Sequence, residues 1–574
     1  MSGNLPTNRR HQPGGMSPEL IVALVVFAAA ALAVGVINVA VRAGAWLAGK
    51  PAPQDAWVPT AIGVFTGRVA WVHPWADITA GAVIVVLAGA VFGVRRLVRA
   101  VRGRRSRVDA QARYLGTGAD IEPITQAHAL QVAARLGVTA SPGIPIGLPI
   151  SGGPMLYGSW EDMHLDIWGP RTGKTTARAI PAVMEAPGAV VATSNKRDLA
   201  DATRDPRATK GPVWVFDPQG VCDEPPGWYW DPLTYAIDDV HAAKLAEHFA
   251  ANSRKDDAKE DAYFDPEGQQ LLADFILAGA LARRDVTEVY RWIVNVATNE
   301  PVAILSSDGY GLAADRLDAA AHLADRQRDG LFGTARKMFQ AVTFRSFQPW
   351  VCRQRDDLRP SFDPAAFVAS GGTLYSLSKE GKGSAGALVT ALTVAVVEAA
   401  EDLAKRSPGG RLATPMVGVL DEAANVCRWT DLPKMYSHFG SRGIPLMTFL
   451  QSFSQGIDTW GRSGMDLLFS AANVFCYGGG EREKAHLEDL AALIGSYDKA
   501  TSTASYGDGR RSMTNQLSRE RIFDVDELAA MPRGRAIVLA SGARPTLIQT
   551  VPWMQRPYAK QIAASIAAHT PGAG

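Results

Sequence analysis

HLDIWGPRTGKTTA, residues His164 to Ala177, compresses a strand, a tight turn and a helix start into one short run. Leu165 and Ile167 alternate with polar neighbours, as in a strand, and TARAIPAVMEA after the turn reads as a helix. Between them lie Gly169, Pro170, Arg171, Thr172, Gly173, Lys174, Thr175 and Thr176, the residue types of a phosphate-binding loop. Glycine lets backbone N–H groups close around phosphate oxygens, and Lys174 brings an ammonium to the β- and γ-phosphates. The Thr175 hydroxyl is placed to ligate Mg²⁺ at a helix N-terminus that already favours anions. The spacing G-x-x-x-x-G-K-S/T calls for glycine at position 168, where this chain has Trp168. A turn residue with positive φ is expected there, with Gly169 taking over the turn.

A second segment completes the chemistry. MVGVLDEA, residues 416–423, reads as a buried strand ending in two carboxylates. Asp421 is expected to hold the Mg²⁺ shell, and Glu422 to act as base or orient the attacking water. The next strand ends in Gln451 (LMTFLQSFSQ), whose amide can sense the γ-phosphate or hold that water; a polar strand end is the plain alternative.

Around these two segments short apolar runs alternate with helical ones. AVVATS (189–194), VWVFDP (213–218), TLYSLS (373–378), IPLMTFLQS (444–452), NVFCYGG (473–479) and AIVLAS (536–541) read as strands. The pattern predicts a parallel sheet covered on both faces, a RecA-like P-loop α/β fold. Residues 231–348 carry helix after helix and are expected to form an inserted all-α domain that divides the ATPase domain into 108–230 and 349–556. Residues 557–574 read as a tail, SPGIPIGLPISGGP (141–154) as a Gly/Pro-rich connection, and the polar stretch 496–521 as a mobile surface loop.

Residues 1–107 read as a membrane anchor. Leu20 to Val41 are 22 residues without a charge, 13 of them Leu, Ile, Val or Phe. At about −0.3 to −0.6 kcal/mol each these favour insertion by roughly 4–8 kcal/mol. The run exceeds the apolar core of a signal peptide. A second run, Ile78 to Val94, is 17 residues long, near the lower limit for a span. Arg9 and Arg10 precede the first run, and Arg95, Arg96, Arg99, Arg102, Arg104, Arg105 and Arg107 follow the second. The connection holds only Arg42, Lys50 and Arg68, so the positive-inside rule predicts a hairpin with both ends cytoplasmic. The same arginines also suit anionic lipid or nucleic acid.

At 574 residues the chain is too long for one ordinary core, and its net charge of +2 points to no partner by bulk electrostatics. Four cysteines, Cys222, Cys352, Cys427 and Cys476, stand far apart without metal-ligand spacing and read as buried thiols.

GPRTGKTT, VVATSNKRDLADATR, VWVFDP, GVLDEAANV and SRGIPLMTFLQSFSQ together resemble the coupling-protein ATPases of bacterial conjugation and type IV secretion, the TraD/TraG group. The resemblance runs from about Arg113 to Pro552. It implies ATP and Mg²⁺ as cofactors and a homo-oligomer, a hexameric ring, at the membrane lipid. It also implies three partners: transferred single-stranded DNA, a relaxase or other secretion substrate, and the type IV secretion channel proteins. By position it assigns Lys174 and Thr175 to phosphate and Mg²⁺, Asp421 and Glu422 to the acidic strand end, and Gln451 to sensing. Arg442, in SRG, falls near where a neighbouring subunit's arginine finger is expected. Two other functions fit the same motifs: an FtsK-like double-stranded DNA translocase, and a nucleotide-binding receptor that docks substrate with little turnover.

Overall fold

The computed structural model describes residues 18–101, 106–253, 261–381, 383–507 and 510–572. The chain divides into two compact units, 1–105 and 106–574.

In the first unit, helices α1 (Pro18–Leu47) and α3 (Trp75–Val101) flank the short α2 (Trp57–Phe65). Small residues let α1 and α3 approach closely: a Cβ on Gly44 would lie 2.8 Å from the Ala76 backbone. Thr79 Oγ1 donates to the Ala40 carbonyl (3.1 Å) and Asn38 Nδ2 to that of Trp57 (2.6 Å), tying the three helices together. Among the described residues one helix segment, Ala30–Leu47, is long and apolar enough to cross a membrane; the apolar part of α3, Trp75–Ala90, is shorter. Arg9, Arg10, Arg102, Arg104 and Arg105, which orient the expected hairpin, lie outside the described residues.

The second unit is built on an eleven-stranded sheet. Its strands are β1 (Ile144–Pro149), β2 (Leu156–Gly158), β3 (His164–Ile167), β4 (Val190–Ser194), β5 (Val213–Phe216), β6 (Thr373–Leu377), β7 (Val417–Leu420), β8 (Leu446–Leu450) and β9 (Val474–Tyr477). After the hairpin β10 (Ser496–Gly507) and β11 (Arg510–Arg521) come β12 (Arg535–Ala540) and β13 (Thr546–Gln549). The order is β2-β1-β13-β12-β9-β3-β8-β7-β4-β6-β5. From β9 to β5 the strands are parallel, and every residue of β3, β4, β6, β7, β8 and β9 is buried, as helices on both faces require. The expected all-parallel sheet is corrected on one side, where β12, β13, β1 and β2 pair antiparallel. β1 comes from the segment read as a connection, and β2 follows it. Gly147 of β1 is needed because a Cβ there would lie 2.8 Å from the Gln549 carbonyl oxygen on β13.

Two further expectations change. Residues 496–521 form a two-stranded antiparallel hairpin, Ser496 opposite Arg521 through Gly507 opposite Arg510, and not a loop. The expected C-terminal tail contains a helix, Ala559–His569, that buries Ile562 and donates Ser565 Oγ to the Asp201 carbonyl (2.6 Å). Between β5 and β6 helices such as Asp239–Ser253, Phe264–Leu281 and Asp325–Met338 pack on each other through Phe249, Phe275, Phe332 and Phe339. All four cysteines are buried and unpaired.

Candidate nucleotide site

The turn after β3 lies at the carboxyl end of the parallel strands, the side on which open α/β sheets bind ligands. Two of its residues adopt positive φ, Arg171 (61°) and Gly173 (99°), and this curls Pro170–Lys174 into a loop before the next helix. That helix opens with a π-helical turn, Thr175–Ala179, and continues as α-helix over Ile180–Glu185. Thr172 Oγ1 closes the loop on the Gly169 carbonyl (2.6 Å), and Thr176 Oγ1 caps back on Gly173 (3.0 Å).

Neither Trp168 nor Gly169 has a positive φ, which corrects the expected role of the 168 position. Trp168 is fully buried and belongs to the core. Its N–H donates to the Leu450 carbonyl (3.0 Å), its Nε1 to Asp166 Oδ1 (3.1 Å), and its ring lies against Gly478, where a Cβ would clash at 2.0 Å. Gly169 is required for close approach: its N–H donates to the Gly479 carbonyl (2.9 Å), and a Cβ would sit 2.4 Å from the Gly480 carbonyl oxygen.

Under the loop lies a buried ion pair that the sequence reading missed. Arg178, fully buried on the π-helical turn, donates Nε to Asp166 Oδ1 (2.9 Å) and Nη2 to Asp166 Oδ2 (3.1 Å) on β3. It also donates to the Pro145 carbonyl on β1 and to His164 Nδ1 (3.1 Å). Burial and the neighbouring guanidinium hold His164 well below the usual histidine range, so it stays neutral and accepts. The strand-to-helix angle of the loop is thereby fixed by a fork-shaped group whose charge is matched.

Strands β7 and β8 bring the acidic and amide groups to the same end. Lys174 Nζ contacts Glu422 Oε1 and lies 3.2 Å from Asp421 Oδ1. Gln451 Nε2 donates to Glu422 Oε2 (2.8 Å). Lys174, Asp421, Glu422 and Gln451 thus meet in one cluster with Thr175 beside Lys174 in the chain. Glu422 sits in the left-handed region (φ 56°, ψ 45°), a strained setting for a non-glycine residue of the kind found at functional sites. Burial would lower the Lys174 pKa, but Asp421 and Glu422 outweigh it and raise the value, so the ammonium is charged. Burial raises that of Asp421 against the pull of Lys174. Arg442 is not brought to this cluster. It follows the helix Leu432–Ser441 before β8, at the opposite end of the strands, with its guanidinium 4.0 Å from Glu401.

The residues suit a magnesium nucleotide. Asp421 Oδ1 is buried and pairs with the Lys174 ammonium at 3.2 Å, a carboxylate oxygen whose charge can also meet a metal cation. Among the described residues no three His, Cys, Asp or Glu side chains are arranged to hold a metal. A Mg²⁺ held with a nucleotide needs only one or two protein oxygens, since phosphate and water complete its shell.

Residues 415–533, from the acidic strand through the hairpin, match the family model described as the TraM recognition site of TraD and TraG. The chain is similar to the TraD/TraG coupling proteins. Among solved structures, the bacterial conjugative coupling protein TrwBdeltaN70 in its trigonal form with sulphate aligns at TM-score 0.51 and 16% identity, over 68% of this chain and 86% of that one. Its unbound monoclinic form aligns at TM-score 0.50 and 17% identity, over 68% and 85%. These likenesses show a shared fold. No curated protein matches the sequence. The TraD/TraG-like segment supplies Asp421, Glu422 and Gln451, whereas Lys174 and Thr175 come from before it.

Proposed function

We propose that the chain is a membrane-anchored ATPase that couples a relaxase-bound DNA substrate to a type IV secretion channel and drives transfer of a single strand. The observation that carries this reading is the meeting of Lys174, Asp421, Glu422 and Gln451 at one end of the sheet, three of them within the TraD/TraG-like segment. Magnesium ATP, when bound, supplies the transferable phosphoryl group and a metal to neutralise its charge. Lys174 binds the phosphates, and Thr175 and Asp421 hold the metal. Glu422 takes the proton of the attacking water, and Gln451 orients Glu422 and that water.

Full-length protein in detergent should hydrolyse ATP in a Mg²⁺-dependent way and more rapidly with single-stranded DNA. Greater stimulation by duplex DNA would favour a double-strand translocase. Mating supported by an inactive Glu422→Gln copy would leave only a docking role.

The anchor is proposed to be a two-span hairpin, on the arginines around the two apolar runs and the close packing of α1 on α3. Gln54 is exposed in the connection, whereas Ala61 is buried in α2 and a poor probe. A cysteine at Gln54 should react with an impermeant thiol reagent added to intact cells, and one at Ala119 should react only after lysis. Labelling of Ala119→Cys from outside would reject the hairpin.

A further inference from the structure

The loop leaving β9, residues 478–483, touches both sides of the nucleotide site. On one side the Gly479 carbonyl accepts the N–H of Gly169 in the phosphate loop (2.9 Å). On the other, Glu481 Oε1 accepts the N–H of Phe453 (3.1 Å) and Glu483 Oε2 that of Ser454 (3.0 Å). These are the first two residues of the helix Phe453–Ala471, and Ser452 Oγ accepts the N–H of Gln455 in the same turn (3.3 Å). First-turn N–H groups have no partner inside their own helix, so these three acceptors fix where and at what angle it starts. The helix start in turn holds Gln451: Gln455 Oε1 accepts the Gln451 N–H (2.8 Å), while Gln451 Nε2 reaches Glu422.

Glu481 is 3% exposed, and its second oxygen makes no hydrogen bond. A carboxyl is an expensive cap in such a place whenever it ionises, since glutamine would accept the same N–H without ever carrying a charge to desolvate. Tyr477 on β9, Glu483 on the loop and His486 on the following helix surround it, and the Arg462 guanidinium lies over the ring of the capped Phe453. His486 is kept neutral by burial, at about 4, and its Nε2 lies 3.6 Å from Glu481. Burial, with the Glu483 charge adding to it, pushes Glu481 up to about 8. It therefore carries its proton at neutral pH and loses it as the pH rises through that value.

We propose that Glu481 is a positioning residue for hydrolysis, setting Gln451 against Glu422 through the first turn of the helix Phe453–Ala471. The proposal rests on the ATPase reading given above. Full-length Glu481→Ala should lose about tenfold in kcat, with the Kd for a fluorescent ATP analogue within about twofold of the unaltered protein. Glu481→Gln keeps the acceptor for Phe453 and cannot ionise, so its kcat at pH 7 should stay near normal. Ionised Glu481 repels Glu483, the other acceptor of that turn, so kcat of the unaltered protein should fall above pH 8, and this fall should be absent in Glu481→Gln. Equal losses in kcat and affinity for Glu481→Ala, an unchanged kcat, or an alkaline fall that persists in Glu481→Gln would each overturn the proposal. Turnover that ignores Glu481→Ala removes this role alone, whereas an unaltered protein with no turnover removes the ATPase reading and this role together.

Discussion

Glu422→Gln is expected to stop hydrolysis, by about 10³-fold or more, while nucleotide stays bound, because only activation of the water is lost. The substituted amide keeps one oxygen to accept from Lys174, and its NH2 can donate to Gln451 once that amide turns its oxygen inward, so the cluster keeps its shape. Lys174→Ala differs in kind. It removes the cation that reaches the phosphates and leaves Asp421 and Glu422 as two buried carboxylates without their shared counter-charge. Both affinity and turnover should fall. A fluorescent nucleotide titration and a phosphate-release assay on the two variants separate these outcomes. Hydrolysis by Glu422→Gln within tenfold of the unaltered protein would take the base role away from Glu422.

The second large effect is on stability. Arg178→Met leaves the Asp166 carboxylate fully buried without its counter-charge, with Trp168 Nε1 and the Cys476 thiol still bonded to it. Stranding one partner of a buried pair costs about 3–5 kcal/mol, whereas replacing both partners with apolar groups costs far less. Thermal unfolding of the detergent-solubilised chain should therefore start several degrees lower in Arg178→Met and recover much of that loss in Arg178→Met/Asp166→Leu. A single variant as stable as the double would show that the pair does not hold the loop. Weaker nucleotide binding should accompany the loss, since the pair sets the angle between β3 and the helix carrying Lys174.

The parts of the site legible in the sequence were those that local pattern encodes. Gly173, Lys174 and Thr175 follow a strand signal and precede a helix signal, and Asp421-Glu422 ends a run of buried β-branched and apolar residues. The fully buried strands were legible for the same reason, as short apolar runs. What stayed hidden depends on partners far along the chain. Trp168 looked like a defective turn residue because its partners, Gly478 and Leu450, lie roughly 300 positions away. Arg178 read as one more polar residue on a helix, since nothing local says that Asp166 and the Pro145 carbonyl close around it. β1 was masked by its own Gly and Pro, which are tolerated where strands approach closely and where ladder bonds are few. The stretch 496–521 is mostly polar in sequence, so its alternation carried no hydrophobic signal.

β3 pairs with β8 and β9 alone, and both are made more than 270 residues after it. During synthesis the phosphate loop and its strand must therefore wait, unpaired on both edges, while the ribosome completes the intervening helices. Sheets closed by such distant partners form slowly and expose edges that other chains can join. The nascent chain is thus at its most aggregation-prone between the emergence of β3 and that of β9. A chain cut anywhere before Gly480 would lack not a peripheral piece but the wall against which the nucleotide loop is shaped.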